Sequence, residues 1–127
     1  MGVQVPPFAR IVTFSLLLAS CQTEAERLQS ESLYYLKQVE KILEHDAGRM
    51  DQALADLDRF FEEYGSRIRE TNARGRELLR TMPPDEREAF VQRSREAARP
   101  IRERIDTLAR TFPNPPVILK RLKDLMI

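Results

Sequence analysis

The sequence has one cysteine, Cys21, and one histidine, His45, among its 127 residues. A single thiol allows no disulfide within the chain, so packing alone has to stabilise the fold. His45 is flanked by Glu44 and Asp46, but a metal site would need further ligands at helical spacing, such as a second histidine four residues on, and that position is Arg49. No Ser-His-Asp or Cys-His set can be assembled either. We therefore predict no enzymatic activity, no cofactor and no metal site.

The net charge is close to zero, and the apolar run near the start of the sequence is short. The chain has 21 Lys and Arg against 20 Asp and Glu, and this balance argues against a nucleic-acid-binding surface. The apolar run at residues 11–20 has about ten residues, whereas a helix needs roughly 20 to span a bilayer. The run is therefore too short for a transmembrane anchor and is typical of a signal peptide.

The apolar run ends in Leu18-Ala19-Ser20-Cys21. This segment resembles the signal peptide of bacterial lipoproteins, in which a Leu, two small residues and a Cys form the lipobox. The resemblance implies that the thiol of Cys21 is lipidated, that the mature protein carries acyl chains such as palmitate, and that a dedicated peptidase removes residues 1–20. It predicts a signal peptide over 1–20 and a mature domain over 21–127. The alternative for Cys21 is a buried core thiol.

Lipidation also predicts where the protein works and what it meets. The lipid on Cys21 would attach the protein to a membrane of the cell envelope. Gln22, rather than Asp, follows the cysteine and resembles the outer-membrane sorting class, so we expect an outer-membrane lipoprotein facing the periplasm. Its expected partners are the membrane, an unknown envelope protein and a second copy of itself as a homodimer, with no nucleic acid.

Helical periodicity covers most of the mature part. Apolar residues recur at three- and four-residue steps and predict helices over about 24–45, 49–80, 84–111 and 116–126. Pro84 fits the first turn of the third helix, and Pro100 inside that helix predicts a kink. No segment predicts a strand. The expected fold class is all-α: a long antiparallel helical hairpin or a three-helix bundle, packed in the manner of a coiled coil, with a short C-terminal helix.

The residues at 46–48 leave two interpretations open. Asp46 can cap a new helix, and Gly48 costs a helix interior about 1 kcal/mol relative to Ala, which favours a turn. Leu43, Ala47 and Met50 keep helical spacing across the segment, which favours one continuous helix.

The apolar stripes predict the core. Leu57 and Ile105 lie in the middle of the stripes on the second and third helices and are expected to be buried. The second stripe thins at Thr71 and Gly75, so the middle of that helix should pack less tightly than its ends.

The terminal helix is apolar around more of its circumference than one packing face requires. We expect it to fold back over Leu78, Leu79 and Phe112. The alternative is a docking helix whose apolar side meets a partner, while Lys120 and Arg121 meet acidic groups or anionic lipid.

These patterns support two functions. The first is a membrane-anchored lipoprotein that serves as a structural or protein-interaction module. The second is a periplasmic stress or chaperone-like factor, because Met82-Pro83-Pro84-Asp85-Glu86 resembles the helix starts of small helical periplasmic chaperones.

Overall fold

The computed structural model describes the backbone of residues 5–126 and the side chains of residues 24–124. Four helices, α1 (Val5–His45), α2 (Met50–Thr81), α3 (Pro84–Ala109) and α4 (Pro115–Met126), and no strand make up the secondary structure of this part. The all-α fold class expected from the periodicity is confirmed. α1 begins at Val5 in the unprocessed chain, so the helix expected over 24–45 is the C-terminal part of a longer one.

α1 is the central helix and packs against both α2 and α3, whose backbones scarcely approach each other. Arg74 Nη2 of α2 lies 3.1 Å from Glu24 Oε1 of α1, so the end of α2 lies beside the beginning of the described side chains of α1. Arg104 Nη2 of α3 lies 4.0 Å from Glu44 Oε1, near the end of α1. α2 is therefore antiparallel to α1 and α3 is parallel to it, which makes an up-down-up bundle of three long helices.

A turn separates α1 from α2 and decides between the two interpretations of residues 46–48. Gly48 has a φ of 76°, in the left-handed region that a residue with a Cβ atom adopts only at a cost. The Asp46 N–H still donates to the carbonyl of Ile42 at 2.9 Å, and the Arg49 N–H donates to the carbonyl of Asp46 at 2.8 Å. These bonds close the turn, and α2 begins one residue later, at Met50.

α2 ends where Met82 becomes extended, and α3 starts at Pro84, whose missing N–H is harmless in a first turn. Arg87 fastens this corner, since its Nε donates to the Leu79 carbonyl at 2.8 Å and its Nη2 to the Met82 carbonyl at 3.1 Å. Pro100 lies inside α3, which remains one helix from Pro84 to Ala109.

The core draws side chains from all four helices. Leu57 is fully buried and Ile105 is 7% exposed, which confirms both as core residues. Burial of one such side chain contributes about 1.5 to 3 kcal/mol. The buried cluster comprises Tyr35, Leu36, Val39, Leu43, Ala53, Leu57, Phe60, Phe61, Ile68, Ala98, Ile105, Leu108, Ala109, Phe112, Ile118 and Leu122.

α4 packs on the rest of the chain, as expected, but not at the expected place. It bridges α2 and α3, with Ile118 fully buried and Leu122 nearly so. Phe112 is buried beside it, but Leu78 and Leu79 lie near the α2–α3 corner and remain half-buried. The expectation for these two leucines was wrong because α4 starts at the far end of α3, and its 12 residues span only about 18 Å.

Candidate functional site

The predicted lipidation site lies outside the part whose side chains the structure describes. Cys21 falls within the backbone range of α1, and nothing in the described side chains bears on its modification. Lipidation of Cys21 and removal of residues 1–20 therefore stay predictions.

One concave site among the described residues is a groove between α2 and α3, with α1 as its floor. We call it the open groove. It encloses about 450 Å³, within the range of about 300 to 1,000 Å³ that is usual for ligand sites. All three long helices contribute apolar side chains to its lining: Leu28, Leu33, Leu36, Leu78, Leu79, Phe90, Val91 and Ala98.

Small residues on α2 explain why the groove stays open. Thr71 and Gly75 stand where the apolar stripe of α2 thins, and both line the groove. A Cβ atom placed on Gly75 would meet no atom within 4 Å, so no neighbour fills the space beside it. The prediction that the middle of α2 packs less tightly than its ends was wrong: Thr71 is buried, and the half-buried residues Gly75, Leu78 and Leu79 lie toward the C-terminal end of the helix.

The open groove is basic. Arg76 of α2 and Arg95 and Arg102 of α3 line it, and no Asp or Glu does. Within the described part of the chain, none of these three guanidinium groups has a carboxylate oxygen within 4.0 Å, whereas seven other arginines and His45 form such pairs. An apolar floor with three arginines and no acid suits a ligand that is both apolar and negatively charged.

Ser94 of α3 adds a buried polar atom to this wall. Its Oγ is shielded from solvent and has no hydrogen-bond partner among the described residues. A buried hydroxyl left without a partner costs about 1 to 3 kcal/mol. Sequence reasoning missed this residue, because a serine on an amphipathic helix is ordinarily solvated.

A second polar cluster lies at the α1–α2 turn. Asp46 is fully buried, its Oδ1 lies 2.9 Å from His45 Nδ1 and 3.6 Å from Arg49 Nη2, and its Oδ2 has no hydrogen-bond partner among the described residues. The pKa of Asp56 is lowered from its ordinary value of 3.8, chiefly by a hydrogen bond with Asp46 and next by one from Gln52.

The described contacts of this cluster hold the α1–α2 turn. His45 is 79% exposed at its side chain, and no serine, threonine or cysteine hydroxyl or thiol is among its hydrogen-bond partners in the described residues. Across residues whose side chains are described, no group of three or more His, Cys, Asp or Glu is placed to hold a metal ion. Asp46 fastens the turn through His45 and Arg49, a role that the sequence did not reveal.

Comparisons with known proteins found no match for this chain. No protein-family model matches the chain, and neither the curated proteins nor the solved structures gave a significant match. Within the described residues, no helix has both the length and the apolar character needed to cross a membrane.

Proposed function

We propose that this chain is a lipid-anchored helical interaction module of the bacterial cell envelope. The observation that carries the proposal is the order Leu18-Ala19-Ser20-Cys21 at the end of a ten-residue apolar run, which would place acyl chains on Cys21. The described helices support it with a surface suited to a partner, the open groove. Its setting would be the outer membrane, facing the periplasm, and a second copy of the chain is a possible partner there.

The anchor is tested by changing its only candidate thiol. In Cys21→Ser the side chain cannot form the thioether to diacylglycerol, so the cells should accumulate unprocessed precursor that takes up no labelled palmitate and leaves the detergent phase. Ser20→Ala is the matched control, since it keeps a small residue before the cysteine and should be processed normally. Normal palmitate labelling of Cys21→Ser would overturn the proposal. Membrane fractionation of the unaltered protein then separates inner from outer membrane.

A periplasmic chaperone-like factor is the second candidate, and the half-buried leucines of the open groove favour it, because unfolded clients expose apolar segments. Such a factor would suppress the aggregation of several unrelated unfolded proteins at comparable ratios. An interaction module would bind one class of partner and leave that aggregation unchanged.

A further inference from the structure

The bundle has a fourth helical position that α4 only partly fills. α4 lies between α2 and α3, and its 12 residues span about 18 Å, whereas the 32 residues of α2 span about 48 Å. A cavity of about 500 Å³ beside α4 is lined by Leu36, Arg102, Ile105, Asp106, Leu119, Leu122 and Lys123. Leu36 and Arg102 also line the open groove. The open groove is thus the continuation of the furrow in which α4 lies.

The way α4 packs at one end of the furrow indicates what kind of helix fits the open groove at the other end. At the α4 end, α2 and α3 accept a short amphipathic helix, which inserts Ile118 and Leu122 and places Arg121 against Asp58 of α2. At the open end the floor is again apolar, and Arg76, Arg95 and Arg102 line the groove with no acid. A helix that completes the bundle there needs apolar residues at i, i+3, i+4 and i+7 and acidic residues beside them.

We propose that the open groove binds an acidic amphipathic helix of a partner protein, which completes the fourth position of the bundle. This inference rests on the proposed function, since it names the class of partner that the interaction module takes. A helix from a second copy of this chain fits less well, because α4 carries Lys120, Arg121 and Lys123 and would bring positive charge to a basic wall.

A pair of peptides provides the probe. The first has the sequence of residues 115–126 and is held helical by a hydrocarbon staple on its exposed face. The second is identical except that Lys120, Arg121 and Lys123 are replaced by Glu. Both have the same apolar face, so a difference in their affinity reports the charge of the groove. Binding is measured by fluorescence anisotropy to the full chain, as cells process it, held in phosphatidylcholine nanodiscs.

The acidic peptide should bind at least tenfold more tightly than the basic one, and added salt should reduce the difference. Reversing the wall charges with Arg95→Glu and Arg102→Glu should reverse this preference. The matched control, Lys37→Glu with Arg67→Glu, changes the same amount of charge at two exposed positions that line no part of the groove and should leave the preference unchanged. Equal affinities for both peptides, or no binding of either, would overturn the proposal.

A steric variant keeps the test decisive if the charge reversal impairs folding. Gly75→Leu adds bulk where no atom lies within 4 Å and leaves every charge in place, so the thermal transition should persist while affinity for the acidic peptide falls at least tenfold. Unchanged affinity in this folded variant would contradict the proposed site.

Two further arms separate this site from its alternatives. Laurate that binds in an Arg95- and Arg102-dependent manner, while the acidic peptide does not bind, would make the groove a lipid site and overturn the partner-helix proposal. If the unaltered protein takes up no labelled palmitate, the lipid anchor is refuted. Binding of the acidic peptide would still test the open groove, so the two proposals can fail separately.

Discussion

Arg121 of α4 and Asp58 of α2 form an ion pair between residues 63 positions apart in the sequence. The hydrogen bond to Asp58 raises the pKa of the Arg121 guanidinium. Both side chains are at least one-third exposed, so solvent screens the attraction and the pair contributes no more than about 1 kcal/mol. The position of α4 therefore rests mainly on its apolar contacts.

Ile118→Ala tests those contacts. Ile118 is fully buried between α2 and α3, so its truncation should lower the free energy of unfolding by about 2 to 4 kcal/mol, measured by urea denaturation of the full chain. Val117 is 38% exposed on the same helix, and Val117→Ala should change it by less than about 0.5 kcal/mol. Similar small effects at both positions would show that α4 does not dock on this chain in solution.

Leu57→Ala tests the centre of the bundle. Leu57 is fully buried on α2, and its truncation should cost about 2 to 4 kcal/mol because the neighbouring helices relax only partly into the cavity. Ile105→Ala on α3 should cost a similar amount. Thermal or urea unfolding that changes by less than about 1 kcal/mol in both variants would place the core elsewhere.

The sequence predicted the helices because three- and four-residue spacing of apolar side chains reports directly which face of a helix is buried. Leu57 and Ile105 were identified in this way. The pattern placed the weak segment of α2 at Thr71 and Gly75, since small and polar residues interrupt the stripe there, but Thr71 is buried and the loosely packed part lies nearer the C-terminal end, at Leu78 and Leu79.

The spacing of apolar residues did not predict which helices pack against each other. An apolar face does not say which neighbour covers it, so Leu78 and Leu79 were assigned to α4 when they in fact border the open groove. The three unpaired wall arginines look like any solvated helical charge until α2 and α3 are seen to stand apart. Asp46 was considered as a helix cap, but the N-cap of α2 is Arg49 and carries no side-chain cap hydrogen bond. The burial of Asp46 beside His45 and Arg49 appears only once the turn is folded.

Tyr35 predicts a loss of stability at high pH. Its phenol is buried and its Oη donates to Glu31 Oε1 at 2.9 Å, and burial, followed by this hydrogen bond, raises the pKa of Tyr35 above its ordinary value of 10.0. The folded state thus keeps a proton that the unfolded state releases. The contribution is complete below pH 10.0 and is lost as the pH rises through the higher folded-state pKa.

The check is the slope of unfolding free energy against pH above 10.0. Tyr35→Phe removes the late-titrating phenol, so this slope should be shallower than in the unaltered protein. Tyr34→Phe changes the adjacent, 49% exposed phenol and should keep the steeper slope. Equal slopes for Tyr35→Phe and the unaltered protein would contradict the assignment.

Gly48 and Gly75 should respond to the same substitution in opposite directions. Gly48 has a φ of 76° in the α1–α2 turn. An alanine at this position would have a strained backbone even though no atom blocks its Cβ, so Gly48→Ala should destabilise the protein by about 1 to 2 kcal/mol. Gly75 lies in the interior of α2 with open space beside it, so Gly75→Ala should stabilise by about 0.5 to 1 kcal/mol through lower backbone entropy of the unfolded chain. Urea denaturation of both variants measures the two signs. A destabilising Gly75→Ala would mean that the walls of the open groove close on this glycine in solution, and the partner helix proposed for the groove would then have no space to enter.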